Sequence, residues 1–285
     1  MFGFLNINKP TGITSHKVIS VLRKITGIKQ IGHAGTLDPI ASGVLPVAIG
    51  KASKLIDYLP TDKCYRVSMY LGKTSDTYDT DGVVVGTGFR NIELSEIENI
   101  LNEFRGDITQ IPPAYSAVHY NGKRLYELAR AGKIPADIPS REISVYKNEI
   151  VSFDYEKQIL KLDISCSKGT YIRTIVNDIG QKLGSGAVMF ELIRTMSADM
   201  TIDKAINPDE NSEKSFLEQN LISPLELIKL PVLELNEEIY KKVLNGNKFK
   251  NIYNLSGEIF LTVDKNIIAI AHAQDGFIQP KKVLL

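Results

Sequence analysis

Asp38 is the residue of this chain best placed to do chemistry alone. It lies in Gly32-His33-Ala34-Gly35-Thr36-Leu37-Asp38-Pro39, continued by Ala41-Ser42-Gly43-Val44-Leu45-Pro46-Val47. Gly32 and Gly35 let the backbone bend sharply, and Pro39 biases Asp38 towards an extended conformation. A lone acid held in such a loop can serve as nucleophile or general base. Asp before Pro is also an ordinary turn former, so the dipeptide by itself does not separate catalysis from loop geometry. Cys64 and Cys166 have no convincing His partner and read as small buried fillers. Two cysteines make a disulfide framework implausible and suit a reducing cytoplasm. Four scattered histidines without CxxC or HxxxH spacing predict no metal site.

The elements around this loop alternate between strand and helix patterns. Thr14 or Ser15 can cap a helix carrying Val18, Leu22 and Ile25 at helical spacing, with Lys17, Arg23 and Lys24 on its exposed face. Tyr65, Val67, Met69 and Leu71 alternate with polar residues, the period of a half-buried strand, as do Leu160, Leu162, Ile164 and Cys166. A helix with Ile175, Ile179 and Leu183 should follow the second strand. Ser95 and Glu98 read as a capping box before a short amphipathic helix. Asn121-Gly122 signals a hairpin. Strands and helices interleave without a βαβ rhythm, which predicts an α+β protein with a mixed or antiparallel sheet. Residues 112–141 combine prolines with Lys123, Arg124, Arg130, Lys133 and Arg141 and with Tyr115, Tyr120 and Tyr126. Such a segment is either a solvated loop pair or a flap that lays cations and aromatic faces on RNA. After an acidic stretch at Asn207–Glu218, Asn236 can cap a last helix closed by Asn245-Gly246, with short strands at Glu258–Val263 and Ile267–His272.

With 285 residues, 43% hydrophobic and 24% charged, the chain has the composition of an ordinary soluble protein of one large domain or one plus an appendage. It shows no secretory leader and no apolar run approaching the roughly 20 residues that cross a bilayer. A cytoplasmic protein without membrane attachment is expected. The net charge is only +1. Basic residues nonetheless dominate positions 1–60 and 241–285 while acids dominate 205–240, so phosphate can be attracted locally.

The string from Gly32 to Gly50 closely resembles the catalytic motif of the bacterial tRNA pseudouridine synthase B family, which makes pseudouridine 55 in the TΨC loop of tRNA. Further matches follow in family order: Asn8-Lys9-Pro10-Thr11-Gly12 onward to Ser15, then Cys64-Tyr65-Arg66-Val67. After these come Leu71-Gly72 through Asp76-Thr77 with Asp79 and Asp81-Gly82, Gln110 through Ala117, and Cys166 through Arg173. The resemblance covers roughly residues 4–205. It implies a pseudouridine synthase catalytic domain over 1–228, with 112–141 as an RNA-clamping insertion, and a small β-rich PUA-like RNA-binding domain over 229–285. It also implies an enzyme that needs no cofactor and no obligatory protein partner and takes the TΨC stem-loop of tRNA as substrate; nothing in the sequence calls for more than a monomer.

The resemblance assigns roles residue by residue. Asp38 is the catalytic carboxylate; attack on the ribose, attack on the uracil and removal of the ribose 2′ proton all lie within its chemistry. Arg173 pairs with it, and a bidentate guanidinium would orient it. Tyr65 lies against the everted base and can handle the proton at carbon 5. Tyr171 contacts substrate; two residues before Arg173 on an extended backbone, it would point the same way. Leu192 supplies a backbone contact to the base, and His33 fills the space that the nucleotide leaves. Lys9 buttresses the loop first and touches RNA second, and Asp79 belongs to the charged network around Arg173. Lys123, Arg124, Arg130 and Arg141 contact RNA. Cys64 replaces a basic residue usual in the family, and Lys63 can supply that charge. Two other readings share these residues: a non-catalytic tRNA-folding module, and the catalytic subunit of guide-RNA-dependent machinery. The second normally carries extra N-terminal sequence, whereas this chain begins almost at its first motif. A glycosidase-like hydrolase would need two paired carboxylates, and only one acid here has a convincing setting.

Overall fold

Alternating burial along Lys63–Leu71 puts Tyr65, Val67, Met69 and Leu71 inside, and this strand lies at the centre of the fold. The computed structural model describes residues 1–284. The main sheet contains β1 (Gly3–Lys9), β2 (Ile31–His33), β3 (Ala41–Ile49), β4 (Lys63–Leu71), β5 (Gly106–Gln110), β6 (Arg141–Asp154), β7 (Ile159–Cys166), β8 (Ala187–Ser197) and β9 (Met200–Thr201). Their order is β1-β3-β8-β4-β7-β6-β5, with β2 on β3 and β9 on β8. The β3–β8 pair is parallel and the other pairings of this sheet are antiparallel, so the mixed α+β sheet expected from the sequence is observed.

Helix α1 (Ser15–Thr26) packs Val18, Ile19 and Leu22 on Leu5, Ile7, Leu45 and Val47 of β1 and β3. Thr14 is its cap, its side chain accepting from the Lys17 amide at 3.1 Å. Ser15 points inward instead, to a use described below. Helix α2 (Leu94–Leu101) and helix α3 (Ile172–Lys182) bury Ile97, Ile175 and Ile179 with the apolar face of β4 and β7. The cap of α2 is Glu93 with Glu96, two residues earlier than the Ser95/Glu98 box expected, because a glutamate can take part in a capping box as a serine does. Helix α3 begins at Ile172, with Tyr171 as N-cap and Leu183 as C-cap. The extended backbone expected through Tyr171 and Arg173 is therefore replaced by a helix start.

Residues 112–141 fold into a small hairpin, His119–Tyr120 on Lys123–Arg124, followed by the six-residue helix Leu125–Arg130. Asn121 and Gly122 both have positive φ, as the Asn-Gly signal requires. The acidic stretch is a loop that ends in a short helix, Lys214–Gln219, and Glu210 accepts from Lys17 and Lys24 on the exposed face of α1.

A second sheet holds β10 (Val232–Glu234), β11 (Phe249–Lys250), β12 (Gly257–Val263), β13 (Asn266–Gln274) and β14 (Phe277–Val283) in the order β10-β12-β13-β14-β11. Asn236 caps the helix Glu237–Leu244 as expected, accepting from the Ile239 amide. This sheet shares a core with the first: Phe260, Ile267 and Ile270 pack with Phe4, Val44 and Ala48. Across the contact Lys54 Nζ donates to Val283 O and Lys282 Nζ donates to Lys54 O. Among the described residues no helix is long and apolar enough to cross a membrane.

Candidate active site

The loop between β2 and β3 carries Asp38, and the segment from β1 into α1 holds that loop in place. Ser15 Oγ accepts from the Leu37 amide at 2.9 Å and donates to the Leu37 carbonyl at 3.2 Å. The Gly12 amide donates to Pro39 O, and Thr11 Oγ1 donates to Ile40 O. Lys9 is fully buried, and its Nζ donates to Pro10 O at 2.9 Å, Ile13 O at 2.7 Å and Pro39 O at 3.4 Å. Two of these bonds tie the Pro10–Ile13 turn and the third reaches the Asp38 loop at Pro39, so the structure places Lys9 as a buried buttress and away from the surface. Burial pulls the Lys9 amine down to about 8, against the attraction of Asp38.

Asp38 opens on a cavity of about 680 Å³ that Tyr65, Tyr171, Arg173, Leu192 and Arg194 also line. This volume falls within the range of small-ligand sites. Asp38 is 40% exposed whereas the Arg173 side chain is 6% exposed, and Arg173 Nε lies 3.0 Å from Asp38 Oδ2. The Nε–H is not aligned on that oxygen, so the contact is an ion pair by proximity. The bidentate pairing expected is not formed. The remaining nitrogens are engaged elsewhere: Nη1 donates to Thr77 O, Nη2 donates to Tyr115 O, and Nη1 sits 3.5 Å from Asp79 Oδ2. Asp79 therefore does join the network, as expected. It is buried, and burial pushes its carboxyl above the usual range, while the Thr77 hydroxyl at 2.6 Å and Arg173 pull it down.

Tyr65 comes from β4 and is 7% exposed. Burial pushes its phenol up to about 12, with Arg194 acting in the opposite direction. Leu192 and Arg194 alternate on β8 and therefore share a face, and Arg194 sits directly across from Tyr65 in the sheet register. Tyr171 lies at the mouth beneath Arg141, whose guanidinium stands 5.5 Å from the ring centre. Tyr115, Tyr126 and Arg130 of the 112–141 segment also line the cavity, and Arg130 lies 5.4 Å over the Tyr126 ring. Lys123 and Arg124 are exposed on the hairpin beyond. Lys63 lines the cavity too, supplying the cation that Cys64 does not; burial and Arg194 lower its ammonium.

The structure thus brings Asp38, Tyr65, Tyr171, Arg173 and Leu192 together. His33 is placed apart, on β2 and outside the cavity wall; its ring is half-buried with Nδ1 unpartnered, and burial lowers its basicity. Two residues with clear positions here escaped sequence reasoning. Ser15 was indistinguishable from Thr14 as a cap. Arg194 had one available signal: it follows Leu192 by two, so a charged residue recurs on a buried strand face. Among the described residues no group of three or more His, Cys, Asp or Glu side chains is placed to hold a metal ion.

Comparison with known proteins identifies the relatives of this chain. Residues 23–172 match the TruB family pseudouridylate synthase (N terminal domain). The chain is 41% identical to the tRNA pseudouridine synthase B of Caldanaerobacter subterraneus subsp. tengcongensis, over 99% of this chain and 98% of that protein. It is 40% identical to the protein of the same name from Syntrophomonas wolfei subsp. wolfei, with the same coverage. Among solved structures, the crystal structure of a Cbf5-Nop10-Gar1 complex superposes with a TM-score of 0.74 at 24% identity, covering all of this chain and 85% of that one, which speaks to the fold. With its catalytic-loop motif, its sheet and its near full-length relatives in agreement, this chain belongs to the TruB family of pseudouridylate synthases.

Proposed function

We propose that the protein converts the TΨC-loop uridine of tRNA, position 55, to pseudouridine, with residues 1–228 as the catalytic unit and 229–285 as an RNA-binding appendage. The reaction breaks the bond from ribose C1′ to uracil N1 and forms one from C1′ to C5, with the C5 proton lost to solvent and N1 taking one up. No electrons are gained or lost, so the isomerisation calls for no redox carrier. The reacting atoms are hidden in a folded loop, and the nucleotide must be turned out into a pocket. Extrusion costs about a few kcal/mol, and stacking on an aromatic ring returns about 1–3 kcal/mol.

The observation that carries this reading is a single half-exposed carboxylate, Asp38, held against a buried arginine at the wall of a nucleotide-sized cavity beside Tyr65. Asp38 acts at the sugar or base, and Arg173 holds its carboxylate in place by ion pairing. Tyr65 lies against the everted ring, Tyr171 and the Leu192 backbone fix its edges, and His33 takes the vacated place in the RNA. Arg124, Arg130 and Arg141, with Lys123, neutralise phosphates along the flap. The relatives named as single enzymes support action without a protein partner. Release of tritium from C5 of uridine in an unmodified tRNA transcript tests the assignment. Release is expected with no metal, nucleotide or flavin added, and none from a transcript with cytidine at position 55. Undiminished release from the cytidine-55 transcript would place the reaction elsewhere.

A further inference from the structure

Arg194 is wholly buried, and its charge is not met by any acid. Nε donates to Val44 O at 2.7 Å and Nη2 to Gly35 O at 3.0 Å, but Nη1 is buried with no hydrogen-bond partner. The neighbours that feel its charge include Lys9, His33 and Lys63, each made less basic by it. The one titratable group that favours the charged guanidinium is Tyr65. An unopposed buried cation is costly to keep, so its place beside the reaction cavity calls for an explanation.

Geometry supplies one. Arg194 and Tyr65 are cross-strand partners on β8 and β4, a pairing that sets their β-carbons about 4.5–5.5 Å apart on the same face. A guanidinium only donates hydrogen bonds, so at a phenol oxygen it must be the donor. The phenol oxygen then accepts, and its own hydrogen is left to point away from Arg194. Both side chains line the cavity that holds Asp38.

We propose that Arg194 is a positioning residue for the uridine rearrangement: its Nη1, unpartnered in this structure, donates to the Tyr65 hydroxyl once substrate is bound, turns the phenolic hydrogen into the cavity and offsets negative charge that gathers on that oxygen. The inference rests on the pseudouridine synthase reading of the same site. A purely structural alternative is clear, because Nε and Nη2 also tie β3 and the Gly35 turn together.

A double-mutant cycle on the single-turnover rate of tritium release separates the two. Tyr65→Phe and Arg194→Met are each expected to slow release by about tenfold or more while tRNA affinity changes little. The double variant should be no slower than the slower single, within about twofold, since both remove one contact. Multiplying losses, or a Tyr65→Phe protein as fast as the parent, would overturn the proposal and leave Arg194 as a loop support. Should Arg194→Met fold poorly, the same cycle is run with Arg194→Lys, which keeps the cation. Its deficit should vanish in the Tyr65→Phe background, and a deficit that persists there is contradictory. Asp38→Asn run alongside keeps the layers apart: if it still releases tritium, the reading of the whole site fails; if it does not, a multiplicative cycle sinks only the role of Arg194.

Discussion

Replacing Arg173 by Met removes the cation from between two carboxylates of very different exposure, and nearly all of the cost should fall on one of them. Asp38 is 40% exposed, so its pairing contributes on the scale of a surface ion pair, about 0–1 kcal/mol. Asp79 is 4% exposed, and stranding such a charge by deleting its partner costs about 3–5 kcal/mol. Asp79→Asn should relieve this, because the amide oxygen still accepts from Thr77 Oγ1 and the Asp81 amide while carrying no charge. The expected coupling between Arg173→Met and Asp79→Asn is about 2 kcal/mol or more, well above the roughly 0.5 kcal/mol scatter of independent sites. The sign with pH follows. Without Arg173 the folded-state pKa of Asp79, already raised by burial, lies further above its unfolded value. Its contribution is then whole below the unfolded value and lost as pH rises through the folded one. Arg173→Met should therefore lose more stability at about pH 8 than at about pH 5, and the double variant should lose that dependence. Urea unfolding of the four proteins at both pH values measures it. Additive losses, or an Arg173→Met deficit that grows on acidification, would refute the reasoning.

Other outcomes follow from single contacts. A β-carbon added at Gly43 would sit 2.3 Å from the Arg194 carbonyl in a strand position with φ of 103°, so Gly43→Ala should destabilise the fold by about 2 kcal/mol or more in urea unfolding. Lys9 is held near 8 when folded, so the unfolded chain carries the extra proton above that value. Its contribution makes stability rise with pH between about 8 and 10, and the difference between Lys9→Met and the parent should show that slope, at most about 1.4 kcal/mol per pH unit. Arg124→Ala and Arg130→Ala should each weaken tRNA binding and lower the salt slope by about one; unchanged slopes would remove the flap from the account.

Much of the site was legible because its residues sit in short strings with distinctive chemistry. The strand bearing Tyr65 could be read from a period of two, whereas the glycines and proline around Asp38 fitted an ordinary turn equally well and only the resemblance of the longer string singled it out. What stayed hidden was set by distant pairing. Nothing local tells Ser15 to turn inward to Leu37, thirty-seven residues into the chain, rather than cap its own helix. The orientation of Arg173 depended on a helix beginning at Ile172, and on carbonyls at Thr77 and Tyr115 that compete with Asp38 for its donors. Arg194 acquires meaning only when β8 is laid beside β4. The second sheet was partly visible, but its last strand, Phe277–Val283, has polar and apolar residues in no clear alternation and is fixed by pairing with Asn266–Gln274.

The central claim is that one acid performs the rearrangement, and Asp38→Asn tests it most directly. The amide retains the shape of the side chain while removing the negative charge beside Arg173. Tritium release from uridine C5 should stop, while tRNA affinity stays within tenfold of the parent, or about 1.4 kcal/mol. Release by the Asp38→Asn protein at the parental rate would contradict the account.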